Sequence, residues 1–227
     1  MSEPLLERLK NYSYPLVRRH LCIKLEDKIK REFTDKRGLE IGGPSNFFKR
    51  NYPLYQLISE LHIVNFSTNT LWQNDKKVFY FGHKSAEIIV QDAVNLQKIS
   101  SQEYEFLLSC NCLEHIANPL KALKEWIRVV KKDGPIVLVL PKKDNNFDHK
   151  RSVSNFDHIL EDFKNNTSEK DLSHLDEILS LHDFSRDSGI QDLDSFKERS
   201  LNNFENRALH HHVYDLKLLN QMIEFLG

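Results

Sequence analysis

The run Pro135-Ile136-Val137-Leu138-Val139-Leu140-Pro141 constrains the fold more than any other stretch of the chain. It is near-continuously apolar, as expected of a parallel strand buried on both faces. Just before it, residues 118–132 carry Leu120, Leu123, Trp126, Ile127 and Val130 at helical spacing, which predicts a strong amphipathic helix. Asn118-Pro119 supplies a capping asparagine and an early proline at its start, and Lys131, Lys132 and Gly134 mark its end. A helix feeding a doubly buried strand implies a sheet with helices on both faces.

Further strands fit the same scheme. Arg37 to Ile41 reads as a short buried strand entering the Gly-rich turn Gly42-Gly43-Pro44-Ser45, and His62 to Phe66, Glu87 to Asp92 and Tyr104 to Leu108 read as three more. Residues 35–141 thus predict a doubly wound, mostly parallel α/β sheet of the Rossmann-like kind. Residues 46–62, with Pro53 among mixed apolar positions, are not assigned. Residues 1–34 form a helical N-terminal segment, interrupted near Pro15. Residues 142–227 are polar and mainly helical, with short apolar segments near 156–163, 172–181 and 193–204 and a last amphipathic helix over 213–226. At 227 residues the chain suits one α/β domain with such an extension.

A net charge of −1 gives no general attraction to nucleic acid or anionic membrane. No run approaches the roughly 18 apolar residues of a membrane span, and the N-terminus lacks a signal pattern. Three cysteines, Cys22, Cys110 and Cys112, have no framework spacing. They point to a reducing compartment, hence the cytoplasm, and Cys110 and Cys112 read as core residues.

Three motifs fall at the carboxyl ends of strands, where open α/β sheets bind ligands. Glu40-Ile41-Gly42-Gly43-Pro44-Ser45 lets backbone approach a ligand closely, with Glu40 placed to order the loop or meet a cationic group. Asp92 ends the third strand, where it is either an acceptor for an adenine amino group or a turn residue. Asn111-Cys112-Leu113-Glu114-His115 follows the fourth strand and reads equally as ligand wall or as capping chemistry.

Leu113-Glu114-His115, the helix after it, Lys131-Lys132-Asp133-Gly134 and a strand ending Leu140-Pro141 together resemble class I S-adenosylmethionine-dependent methyltransferases of the methyltransferase-11 type. The loop at residues 40–45 is similar to their first motif, and Asp92 to the acidic end of their third strand. The extension is similar to a bacterial subfamily found in surface-polysaccharide and glycosyltransferase contexts. The residues that carry this likeness are Asn146 to Arg151, Asp171 to Leu175, Leu181-His182-Asp183 with Arg186-Asp187, and Asn206-Arg207 with His210 to Asp215.

The resemblance implies methyl transfer from S-adenosylmethionine to a hydroxyl, or less readily an amine, of a small sugar-type or glycan acceptor. It implies that Glu40, Gly42, Gly43, Pro44, Ser45, Asn65, Asp92, Asn111 and Leu113 bind the cofactor. His149, His182 and His211 are the candidate bases, and Asp148, Arg151, Arg186, His210 and His212 the candidate acceptor contacts. Asn65 stands where an acidic ribose ligand is usual, Pro44 replaces the third loop glycine, and Asn111 replaces a histidine. The chain also ends at Gly227, before the antiparallel strand pair that usually completes such sheets. The bare edge left there would suit a homodimer.

Two other readings stay open. One is a methyltransferase-fold binding protein that has lost catalysis. The other is a metal-dependent hydrolase in which His149, His182 and one of His210 to His212 converge with Asp148 and Asp183 on a metal. No HxxxH or HExxH spacing supports a metal, so the eleven histidines read better as hydrogen-bonded groups in a polar cleft. Lys142-Lys143 and Lys150-Arg151 are either phosphate contacts or solvated surface.

Overall fold

A computed structural model of the chain describes residues 27–70, 78–81, 84–187, 189–190 and 192–227. The expected helical stretch over 4–26, with Pro15 and Cys22, lies outside the described residues. Residues 27–33 (α1) are helical.

Six strands form one sheet: β1 (Arg37–Ile41), β2 (Glu60–Asn65), β3 (Val78–Phe81), β4 (Lys84–Val90), β5 (Phe106–Cys110) and β6 (Ile136–Val139), in the order β3-β4-β2-β1-β5-β6. All neighbours run parallel except β3 and β4. Side chains alternate across the sheet with period two. Leu39, Ile41, Val64 and Leu107 face one core, whereas Leu61, Ile63, Phe106 and Leu108 face the other, with Ile29 and Phe33 of α1.

The first core is covered by α2 (Pro119–Val129), α3 (Phe156–Asn165) and α7 (Leu216–Leu226), which pack on one another. Trp126 is fully buried there and donates its indole N–H to the Ala93 carbonyl at 3.0 Å. Ile159, Tyr214, Leu218 and Met222 belong to the same core, so the C-terminal extension is built onto the sheet. Shorter helices α4 (Leu175–Leu181), α5 (Leu193–Leu201) and α6 (Asn203–Asn206) surround a small third cluster of Ile178, Phe196 and Leu209.

Several boundaries differ from the sequence reading. The helix expected over 118–132 stops at Val129, because Val130 turns extended and pairs with Tyr104. That bridge also delays β5 to Phe106 and lets it run on to Cys110. β6 is half-buried rather than enclosed, because it is the outermost strand and no strand lies beyond it among the described residues. The antiparallel β3, at the opposite edge, was not anticipated. Among the described residues no helix is long and apolar enough to cross a membrane.

Candidate functional site

The strand order reverses between β2 and β5 on either side of β1, and a cleft opens there beyond the carboxyl ends of β1, β2, β4 and β5. It holds about 50 Å³ and is lined by Gly42, Asn65, Asp92, Asn111, Glu169 and Arg207, among others.

The loop after β1 is held from below. Glu40 points to the face opposite Leu39 and Ile41 and is fully buried. It accepts hydrogen bonds from the Tyr55 hydroxyl and from the Ser45 backbone N–H, the latter at 3.1 Å. Burial pushes its carboxyl up to about 7, with those donors pulling in the opposite direction. A Cβ on Gly43 would sit 2.5 Å from the Glu40 carboxyl carbon. Gly42 has φ +74° and its Cβ position lies 2.8 Å from Cys112 Sγ, so only glycine lets the loop lie this close to the next strand's turn. Glu40 and Ser45 therefore shape the loop from outside the cleft, and Pro44 is likewise not among the cleft's lining residues. Tyr55, in the stretch left unassigned, completes this support.

Asn65, at the end of β2, is buried in the cleft wall and donates from its amide to the Gly43 carbonyl at 2.8 Å. Asp92 ion-pairs with Arg207 at 3.2 Å, and Arg207 reaches Glu169 at 3.3 Å with its guanidinium 5.4 Å from the centre of the Phe66 ring. Arg207 and Glu169 belong to the extension. They join it to the cleft; Arg207 stands in the Asn206-Arg207 motif without having been assigned to the cofactor site, and nothing marked Glu169 beforehand. Leu113 differs from its expected place on the cleft wall. It is a core side chain with no exposure, because the turn that presents Asn111 tucks the next apolar residue under α2. Burial pushes the Cys110 thiol up to about 11 and the Cys112 thiol to about 12, which keeps both protonated and inert.

A second cavity of about 390 Å³ adjoins the first, and Asn111 and His115 line both. Its other walls include Glu114, Phe147, Asp187, Arg199 and His210. His210 Nδ1 lies 2.5 Å from Asp148 Oδ2, and Asp148 also meets Arg151 at 3.1 Å. Arg151 is buried and donates to the backbone carbonyls of His210 (2.8 Å) and His211 (3.2 Å), fixing this segment. The His210 ring packs edge-on against His115, centroids 4.5 Å apart. Burial lowers His115 well below the ordinary imidazole range and raises Glu114 to about 7.

The three histidines expected as bases line neither cavity. His149 bonds Asp183 at 2.7 Å on a half-exposed turn. His182 is buried among Phe147, Phe184 and Phe196, 3.2 Å from Asp187. His211 is buried against Glu169 (3.2 Å) and Asn203 (3.1 Å), and burial lowers it to about 4. Arg186 is exposed and donates to the Asp144 carbonyl at 2.7 Å. His212 turns away toward α3 and Ala117. The metal cluster of His149, His182, Asp148 and Asp183 does not form, since each histidine has a separate carboxylate. Lys142 is exposed beside Asp144, and Lys143 donates to the His149 carbonyl at 2.7 Å.

An open, mainly parallel sheet with a cleft at its switch point defines a Rossmann-like protein. Residues 39–138 match the family model of a methyltransferase domain, the methyltransferase-11 type. No curated protein matches the chain.

Among solved structures, the chain is similar to a Bacillus halodurans C-125 protein classed as a methyltransferase. The identity is 13%, the coverage 88% of this chain and 66% of that one, and the TM-score 0.49. It is also similar to a Galdieria sulphuraria protein classed as a sarcosine dimethylglycine methyltransferase, at 15% identity, 54% and 45% coverage and a TM-score of 0.36. The trans-methyltransferase CalH in complex with SAH matches at 17% identity, 50% and 34% coverage and a TM-score of 0.40. The chain spans less than two thirds of the length of each, and every one of these TM-scores is below 0.5.

Proposed function

We propose that the chain binds S-adenosylmethionine in the cleft at the switch point and transfers its methyl group to a hydroxyl of a small, sugar-type acceptor held in the adjoining cavity. The observation that carries this reading is the pair of cavities meeting at Asn111 and His115, one at the strand ends and the other rimmed by charged side chains. The cleft's residues suit the cofactor. Gly42 leaves room for it beside Cys112, Asp92 offers a carboxylate acceptor, and Asn65 stands at the end of β2.

When bound, the cofactor supplies an already activated methyl group on a sulfonium. The protein's own work is then positioning, exclusion of water and removal of one proton. His210 is the base in this scheme. Asp148 holds its Nδ1, which fixes the tautomer and leaves Nε2 to take the acceptor's proton. Arg199 and Asp187, 3.5 Å apart, offer a donor and an acceptor to neighbouring hydroxyls. A bound cofactor would supply the methyl group to the acceptor oxygen, and the oxygen's proton would pass to His210.

The test is transfer of labelled methyl groups to a panel of free sugars and nucleotide-sugars. Turnover of a hydroxylated member supports the reading, and labelling of amines alone would overturn the acceptor assignment.

A further inference from the structure

The extension holds a second cluster that the reaction scheme leaves unused. His158 and Asp162 stand one turn apart on α3, His174 precedes α4, and His212 lies in the extended segment before α7. Nε2 of His158 is 2.8 Å from Nε2 of His174 and 3.2 Å from Asp162 Oδ2. Nε2 of His212 is 3.6 Å from the same carboxylate oxygen. One ring nitrogen from each of the three histidines lies within 4.8 Å of the other two. We infer that His158, His174 and His212 form a binding site for one divalent transition-metal ion of the zinc type, with Asp162 beside it, which ties three segments of the extension together.

The spacing suits that ion. Four ligands around zinc at about 2.0–2.1 Å stand about 3.3 Å from one another in a tetrahedron. The three histidine nitrogens all lie within 4.8 Å of one another, with 2.8 Å between those of His158 and His174, close enough to converge on one ion. Hydrogen bonding alone leaves the cluster poorly satisfied. One proton serves the two facing nitrogens of His158 and His174, while Asp162 Oδ2 and His212 Nδ1 are buried and accept no hydrogen bond. The Ala117 carbonyl, 3.2 Å from His212 Nε2, is a competitor for that nitrogen. Glu177, 3.9 Å from His174 Nδ1, stands where a carboxylate orients a ligating imidazole.

The site joins three segments distant in sequence, and its neighbours lead to the cleft. Asn118 donates to the Asp162 backbone carbonyl at 2.8 Å, and His211, beside His212, contacts Glu169 on the cleft wall. The metal's role here is to hold that wall in place, apart from the His210 centre.

The experiment is metal analysis of the full-length chain, grown with added zinc and then dialysed, followed by zinc titration of the chelator-stripped protein. The expected result is one zinc per chain with an apparent Kd of about 1 μM or tighter. Stripping should lower Tm, and zinc should restore it. His115→Ala, at the reaction centre, should keep the zinc, whereas His158→Gln and His174→Gln should each weaken binding by about tenfold or more. Folded wild type that takes up no zinc, or variants that bind it as tightly as wild type, would overturn the inference. Metal content is read without S-adenosylmethionine, so this outcome is independent of the methyltransferase reading.

Discussion

Replacing Glu40 by Gln removes a buried acid while keeping its shape, and the effect on stability should depend on pH. The carboxyl is fully buried beneath the cofactor loop, and burial raises it from 4.5 to about 7. In the unfolded chain it ionises near 4.5. Between those two values the unfolded state gives up a proton that the folded state keeps. Stability from this group is therefore complete below about pH 4.5, declines as pH rises to about 7 and is level above that. At about 1.36 kcal/mol for each pH unit, the decline is roughly 3 kcal/mol. Glutamine cannot ionise, so Glu40→Gln escapes it. The variant also disturbs the bonds from Tyr55 and Ser45, a pH-independent loss of about 1 kcal/mol. Urea unfolding of both proteins at pH 4.5 and at about pH 8 separates the two effects. The stability difference should move by roughly 3 kcal/mol in favour of glutamine at the higher pH. A difference that stays constant, or moves the other way, would mean that the Tyr55 and Ser45 donors favour the ionised form, and the reasoning would fail.

Asp92→Ala should weaken S-adenosylmethionine binding by about ten- to a hundredfold in calorimetry, since it removes a charged acceptor and frees Arg207. Gly42→Val forces a β-branched residue to φ +74° with its Cβ 2.8 Å from Cys112 Sγ, so thermal unfolding should show a loss of about 1–3 kcal/mol and calorimetry no cofactor binding. His210→Ala should lower the methyl-transfer rate by about 10²–10⁴ while cofactor affinity holds. Equal losses in both would make His210 a structural residue.

The core sheet was legible because its signals are local. An apolar run on both faces, a capped helix and a Gly-rich turn each fix their own segment, and together they leave few topologies. The antiparallel β3 gave no such signal, since Val78 and Tyr80 are exposed at an edge. At the site, Gly42, Asn65, Asp92 and Asn111 stand on the cleft wall because strand ends converge by topology. Arg207 and Glu169 reach it from the extension, 115 residues along the chain from Asp92 in the case of Arg207, and no periodicity encodes that approach. The histidines show the same limit. Their richness was visible, but which carboxylate each one meets depends on how short helices fold back. Asp148 thus goes to His210, Asp183 to His149 and Asp162 to His158.

Calorimetric titration of the folded chain with S-adenosylmethionine and with its demethylated product tests the central claim most directly. The cleft at Gly42, Asn65 and Asp92 predicts saturable one-to-one binding of both. Absence of binding by either, in protein shown to be folded, would contradict the assignment of that cleft as a methyl-donor site.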